Sequence, residues 1–457
     1  MLFMEKIKAK YGLFTALSLM VGTVVGSGIF FKSDEILIAT GGSIGKGVLV
    51  FCLAAISIIF GSLTIAQIAH HTQGTGGIIS YAEHVCRPQT ACVFGWILAF
   101  FYFPILIPVI GWVSTTYLGM LFGYEFSINQ RLILTLLLMT FFYLMNAISY
   151  KAGGMFQNLA TIIKLIPLLF ICLVGFILGD PSTILESSNY TNAVSSTSWL
   201  LAIPSVAFAF DGWVVSVSIS HEIKNSQRNL PIALTLGSLI ILLVYVLYFV
   251  GVSILIGPAE IMALGDEHIG MAATKFLGEN GTKIIILFVV ISVLGTFNGM
   301  IIGGSRMPYN LASHQMIPAY QKVARIHPKF NISISSVWIS YIIAVIWLFL
   351  HYLTQKYPAL AGNDLSEIVV VTTYILYLIL YVKVILLTKK NHIKMKNKIW
   401  QGYCVPILAI IGASFILIIG MQNPFFWIDN LYAILLVILA LYSYHSIQKS
   451  NLSINHK

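Results

Sequence analysis

Gly22-Thr23-Val24-Val25-Gly26-Ser27-Gly28-Ile29-Phe30 lies inside an uncharged run from Tyr11 to Phe31, about long enough to cross a bilayer as a helix. Its middle holds three glycines and a serine where a lipid-facing helix would carry leucine or isoleucine. Glycine weakens a helix interior and lets the backbone leave α geometry. In hydrocarbon, a broken backbone survives only where protein or water satisfies the freed groups. The stretch is therefore either a tightly packed small-residue seam or a helix unwound around something polar.

The rest of the chain sets the class. Of 457 residues, 58% are hydrophobic and 9% charged, against roughly a quarter charged in soluble domains. An all-α polytopic membrane protein follows. The net charge of +10 would suit a nucleic-acid partner, but the basic residues collect in short loops between apolar spans, so none is expected. Cys52, Cys86, Cys92, Cys172 and Cys404 show neither Cys-x-x-Cys spacing nor pairing in an outer loop, which argues against metal and disulfide roles. No cofactor is expected. The N-terminus shows no small-residue cleavage site, so the first span reads as retained.

Twelve uncharged or nearly uncharged runs read as crossings: 11–38, 46–70, 90–121, 130–150, 154–179, 197–221, 231–256, 282–306, 333–354, 366–388, 402–421 and 426–447. Lys383 interrupts the tenth near one end, where lysine can snorkel. Twelve crossings put both termini on one side. With the N-terminus inside, nineteen Lys and Arg fall inside and six outside, with Lys164 within a span. That bias predicts cytoplasmic termini. No loop is long enough for a soluble domain. Gln73-Gly74-Thr75-Gly76-Gly77-Ile78 lacks the Gly-Lys-Ser/Thr ending of a phosphate-binding loop and reads as a tight or re-entrant turn. The sequon Asn189-Tyr190-Thr191 carries no weight.

The sixth span is also interrupted, at Phe208-Ala209-Phe210-Asp211-Gly212-Trp213. An aspartate at the centre of an apolar helix is costly unless it faces a cavity or partner. Arg228-Asn229-Leu230-Pro231 then leads into the seventh span, with Pro231 suited to a helix start. Interruptions five spans apart point to an inverted-repeat transporter with substrate at the midplane. A half-helix N-terminus suits a carboxylate, and the free carbonyls of a half-helix C-terminus suit an ammonium. One zwitterion satisfies both.

Lys164 sits mid-span among Ala160-Thr161-Ile162-Ile163 and Leu165-Ile166, too far from either end to snorkel. Its ammonium must find carbonyls or hydroxyls inside the bundle. It is a fixed cation holding unwound backbone, a proton carrier, or a structural tether. Gly295-Thr296-Phe297-Asn298-Gly299 supplies a small-residue face, with Asn298 leaning to packing over substrate contact. Tyr245 and Tyr248 read as core or interface residues more than ligands, with Tyr245 and Asn298 kept as candidate site residues.

At these residues the chain resembles the amino acid–polyamine–organocation superfamily, and most of all the bacterial relatives of the L-type amino acid transporters. The resemblance rests on Gly22 to Phe30, Phe208 to Trp213, Glu222-Ile223-Lys224-Asn225 with Arg228-Asn229-Leu230-Pro231, Asn298-Gly299, Ser305-Arg306 and Ile326-His327-Pro328. It implies a LeuT-type fold: inverted repeats over 11–179 and 197–388, and two peripheral helices over 402–447. It further implies that the substrate carboxylate meets the amides of Gly26, Ser27, Gly28 and Ile29. The amino group would meet carbonyls near Phe208, Ala209 and Asp211, with Phe208 or Phe210 as a gate. Gly22 and Lys164 belong to coupling, and Lys164 matches the fifth-span lysine of sodium-independent members. Asn225-Ser226 stands where the family motif reads Asn-Pro. Asp211 caps the broken helix, binds a cation or takes up a proton.

The expectation is a sodium-independent transporter of neutral L-amino acids in a plasma membrane, working as an exchanger. Proton-coupled symport and antiport of a cationic amino acid or polyamine are the alternatives. An intramembrane enzyme or receptor lacks support, since no His-Glu-x-x-His, Gly-x-Ser-x-Gly or Gly-x-Gly-Asp lies in a span. Oligomeric state is not legible.

Overall fold

A computed structural model describes residues 9–72, 77–183, 198–265, 268–357, 365–392, 395, 397–423 and 426–455. Residues 73–76 of the glycine-rich turn and the sequon at 189–191 lie outside them. The described residues are nearly all helical, with two isolated bridges and no strand.

The chain opens with α1 (Leu13–Val24) and α2 (Ser27–Thr40), two pieces of one broken segment. Next come α3 (Ile44–His71), the short α4 (Ile78–Val85), α5 (Pro88–Phe122), α6 (Ile128–Ile148) and α7 (Tyr150–Leu178). The second broken segment is α8 (Ile203–Ala209) and α9 (Val214–Ser218). Then follow α10 (Ser226–Ile256), α11 (Pro258–Leu264), α12 (His268–Gly304), α13 (Met307–Ser313), α14 (Tyr320–Val323), α15 (Ile334–Lys356), α16 (Leu365–Lys389), α17 (Trp400–Gly420) and α18 (Phe426–Asn455).

Among the described residues, ten helices are long and apolar enough to cross a membrane. The segments at α1–α2 and α8–α9 are not among the ten, because each is split near its middle. They are the two that the glycine and aspartate content singles out. Large apolar side chains on the outer faces, such as Leu137 (62% exposed) and Leu173 (60%), have no protein cover. On a surface of this composition they face hydrocarbon.

Lipid is as apolar as leucine, so helices in a membrane associate through close packing. Glycine supplies it here. A Cβ on Gly175 of α7 would fall 2.2 Å from the Gly251 carbonyl of α10, and one on Gly237 would fall 2.5 Å from Met20 of α1. These seams let α1 lie against α7, α10 and α12.

Pro231 departs from the sequence reading. The seventh helix begins at Ser226, after Asn225 in the left-handed conformation (φ 48°), and Pro231 lies inside it. The α-helical bond that a proline there forgoes would run to the carbonyl of Gln227, an exposed residue. The helix tolerates it for that reason.

Candidate functional site

The first helix leaves α geometry at Val25 (φ −70°, ψ 90°) and Gly26 (φ −125°, ψ −147°). Its last regular bond runs from the Val25 amide to the Val21 carbonyl, 2.8 Å. The chain turns helical again at Ser27, so the first amides of α2 have no partner within their helix.

The sixth segment breaks in a matching way. The Phe210 amide bonds the Val206 carbonyl and the Asp211 amide bonds the Phe208 carbonyl, both at 3.0 Å. Gly212 then takes φ +99°, a conformation that L side chains rarely adopt. Helix resumes at Val214.

The two breaks face each other. A Cβ on Gly28 would lie 2.9 Å from Ala209 Cα, and one on Gly212 would lie 2.9 Å from Thr23 Cγ2. Between them is a cavity lined by Thr23, Val24, Gly26, Gly28, Phe208, Ala209 and Asp211, walled by Ile110, Thr296 and Met300. Its free space is about 20 Å³, room for roughly one water.

Lys164, on α7, is fully buried. Its Nζ donates to the carbonyls of Gly22 and Val25, each at 2.5 Å, and to Thr296 Oγ1 at 3.3 Å. An ammonium carries three protons, and three acceptors meet it. Two of those are carbonyls that the break in the first helix sets free.

The other residues singled out from the sequence divide into two groups. Phe208 and Asp211 line the cavity, whereas Phe210 is buried behind it, edge-on to Phe51 and 5.0 Å from the Tyr245 ring. Ile29 is buried and not part of the lining, and the Ser27 side chain lies outside the described positions. Asn298 faces away from the cavity. Its amide nitrogen donates to the Gly153 carbonyl (3.1 Å) and Gln157 Oε1 (3.0 Å), and its oxygen accepts from Asn146 (2.8 Å). Tyr245 does more than fill the core. Its hydroxyl lies 3.0 Å from the Val24 carbonyl and 2.8 Å from that of Ala209, one from each break.

Tyr102 and Thr296 escaped the sequence reading. Tyr102 donates a hydrogen bond to Asp211 Oδ2, while no side chain among the described residues bonds Asp211 Oδ1. Tyr102 ends a π-helical stretch, Leu98–Tyr102, inside α5.

Charged clusters close both ends of the site. At one end, Lys32 of α2 pairs with Glu367 of α16 at 3.2 Å, and Ser205 of α8 donates to the same Glu367 oxygen at 2.7 Å. At the other, the buried carboxylate of Glu222 accepts from Arg306 Nε (2.9 Å) and Lys10 Nζ (3.5 Å). The amides of Lys10 and Tyr11 also bond the Glu222 carbonyl, at 2.7 and 2.9 Å. The N-terminal segment is thereby strapped beneath the sixth segment.

Paired helix breaks around a small cavity, with a lysine ammonium on carbonyls that one of them sets free, suit a membrane carrier. The model of the amino acid permease family matches residues 11–441. The chain belongs to that family. A serine/threonine exchanger, SteT, of Bacillus subtilis (strain 168) is 30% identical over 412 residues, covering 90% of this chain and 91% of the relative. A b(0,+)-type amino acid transporter 1 of Mus musculus is 23% identical over 455 residues, covering 96% and 88%. A cystine/glutamate transporter of Homo sapiens is 24% identical over 351 residues, covering 75% and 68%. This permease is accordingly a multi-pass membrane transporter and not an enzyme.

The close approach at Gly28 yields a test. Gly28→Ala puts a methyl against the Ala209 backbone, which cannot swing aside as a side chain would. Overpacking of this kind costs about 1–3 kcal/mol, so affinity for a ligand held at this break should fall roughly fivefold or more while the protein still folds. Ligand-induced melting shifts in detergent measure it.

Proposed function

We propose that the chain exchanges neutral L-amino acids across the plasma membrane, without sodium, by alternating access. On this reading the α-carboxylate rests on the amides at Gly26, Ser27, Gly28 and Ile29, and the amino group on carbonyls near Phe208, Ala209 and Asp211. The observation that carries it is the Lys164 ammonium on the Gly22 and Val25 carbonyls. These acceptors and Thr296 Oγ1 are oxygen donors of the kind a sodium ion would take, and a resident cation already holds them. The exchanger among the relatives supports the mode of transport.

Counted with the two split segments, the ten continuous helices make twelve crossings. We assign two inverted repeats over 11–179 and 197–388, two peripheral helices over 402–447, and both termini to the cytoplasm. The cavity is too small for an amino acid. It represents a closed state that opens to one side when the Lys32–Glu367 cluster parts, and to the other when the Glu222 cluster parts. Substrate shifts populations between these states.

Purified protein in liposomes, with radiolabelled alanine, serine, leucine and arginine, tests the proposal. Uptake should require internal amino acid and ignore a sodium gradient. Uptake into empty vesicles driven by acid outside would replace exchange with proton symport.

One observation favours a second reading. Among the described residues no side chain bonds Asp211 Oδ1, and no Lys or Arg is among those that line the cavity. A cationic substrate or a proton would answer that charge. Asp211→Asn keeps an acceptor for Tyr102 at a cost of about 1 kcal/mol. Neutral exchange should therefore survive within about fivefold. Selective loss of arginine uptake would establish the cationic reading, and loss of acid-driven uptake the proton reading.

A further inference from the structure

A second cavity, sharing no residue with the first, opens on the outer surface between α6 and α15. It holds about 320 Å³, within the range of small-ligand sites. Leu144 and Ile148 of α6 and Trp338 of α15 form its rim, each more than half exposed. Its hydroxyls are already committed. Tyr143 pairs with Ser340 at 2.8 Å, and Thr140 pairs with Tyr341 and with the Leu136 carbonyl, both at 2.8 Å. The walls therefore offer a ligand no unsatisfied polar side chain, and they suit hydrocarbon.

One end of this groove is different. Ile148 leads at once into Tyr150 and Lys151, and Phe330 follows Lys329, whose Nζ lies 5.6 Å from the Phe330 ring centre. Lys151 and Lys329, within three residues of the groove-lining Ile148 and Phe330, are exposed and have no ion-pair partner among the described residues. This is also the end at which the N-terminal strap is held, because Lys10 donates to the Asn331 carbonyl (3.1 Å) and lies over the Tyr150 ring (4.4 Å).

We propose that the groove binds an anionic phospholipid, with one acyl chain between α6 and α15 and its phosphate at Lys329. The bilayer supplies hydrocarbon to any exposed apolar groove, so the chain alone selects nothing. The basic end supplies the selection, as clustered cations do at anionic membrane surfaces. The proposal requires a membrane protein but not the transport assignment, because binding is read without substrate.

The test uses the purified full-length chain, stripped of lipid in detergent and titrated with phosphatidylglycerol or with phosphatidylcholine of the same chains. Native mass spectrometry counts retained lipid, and melting temperature follows stabilisation. One phosphatidylglycerol should be retained in preference to phosphatidylcholine. Lys329→Gln should weaken phosphatidylglycerol roughly fivefold, the worth of one lysine at an anionic surface, and leave phosphatidylcholine unchanged. Ala147→Trp, which fills the groove from a half-buried position, should abolish retention of both. If that variant does not fold, Leu144→Trp at the exposed rim replaces it. Equal binding of the two lipids to the wild type overturns the proposal, as does phosphatidylglycerol binding unchanged in both Lys329→Gln and the groove-filled variant. A dimer mass that the groove-filling variant removes would also overturn it, by showing a second copy on this face.

Discussion

Lys164→Ala should reduce amino acid exchange in liposomes at least about a hundredfold, while the purified variant still elutes as a folded species and melts cooperatively. The lysine supplies two short charge-assisted bonds to carbonyls that helix geometry has abandoned. Bonds to charged groups contribute about 1.5–3 kcal/mol each, and about 1.4 kcal/mol is tenfold in a population. Losing both therefore removes the broken geometry from nearly all molecules. The fold survives because α1 keeps its packing against α7, α10 and α12, including Thr161 Oγ1 to the Ser18 carbonyl at 3.0 Å. Ligand-induced melting shifts should vanish with transport, since the amides proposed to meet the carboxylate are held by the same break. Wild-type exchange in the variant would take the lysine out of the mechanism. Loss of the folded species would make it a structural tether alone.

How far this site can be read from the chain depends on what a membrane makes costly. Gly26, Gly28, Asp211 and Lys164 stand out because each is expensive in an apolar helix without a compensating environment. Their meeting could not be derived from periodicity, since it depends on how α7 and the two broken segments are rotated about their axes. Tyr102 was hidden for a sharper reason. The π-turn at Leu98–Tyr102 adds a residue to one turn and shifts the face of α5 away from its regular helical spacing. Thr296 lay within a run of small residues whose packing role masked its hydroxyl. Tyr245 looked like core because tyrosines in spans usually are, and only the geometry shows its hydroxyl on both breaks. Pro231 misled because proline usually marks a helix start, whereas here the first turn forms ahead of it at Ser226. Nothing in the sequence singles out Lys32 or Glu367, and their pairing across distant spans is visible only in the structure.

Glu222→Gln should destabilise the folded protein by about 3–5 kcal/mol, the cost of leaving buried cations without their counter-charge. Arg306 is 1% exposed and its Nε has no other acceptor among the described residues. Burial works against the Glu222 charge, but the Arg306 cation and then Lys10 more than reverse that, holding its pKa at about 2 against an ordinary 4.5. A depressed carboxylate pKa contributes stability that is present above the unfolded value and lost as pH falls through the folded one. The cluster is thus intact from about pH 5 upward, and pH dependence of exchange between 5 and 8 must arise elsewhere. On the proposed alternating access, the Glu222 cluster also holds the cavity shut on the N-terminal side. With the strap loosened, a cysteine placed at Thr23 should become reactive to a membrane-impermeant thiol reagent from the N-terminal face, in a background without the five native cysteines. A purely stabilising ion pair would lower the melting temperature without that change in labelling. Replacing both partners, Glu222→Leu with Arg306→Met, removes the unpaired Arg306 charge and should recover part of the lost stability, Lys10 being left without its carboxylate. Labelling should persist in this double variant, because Lys10 has still lost its carboxylate. Protection equal to the wild type in either variant would mean that the cluster is no gate.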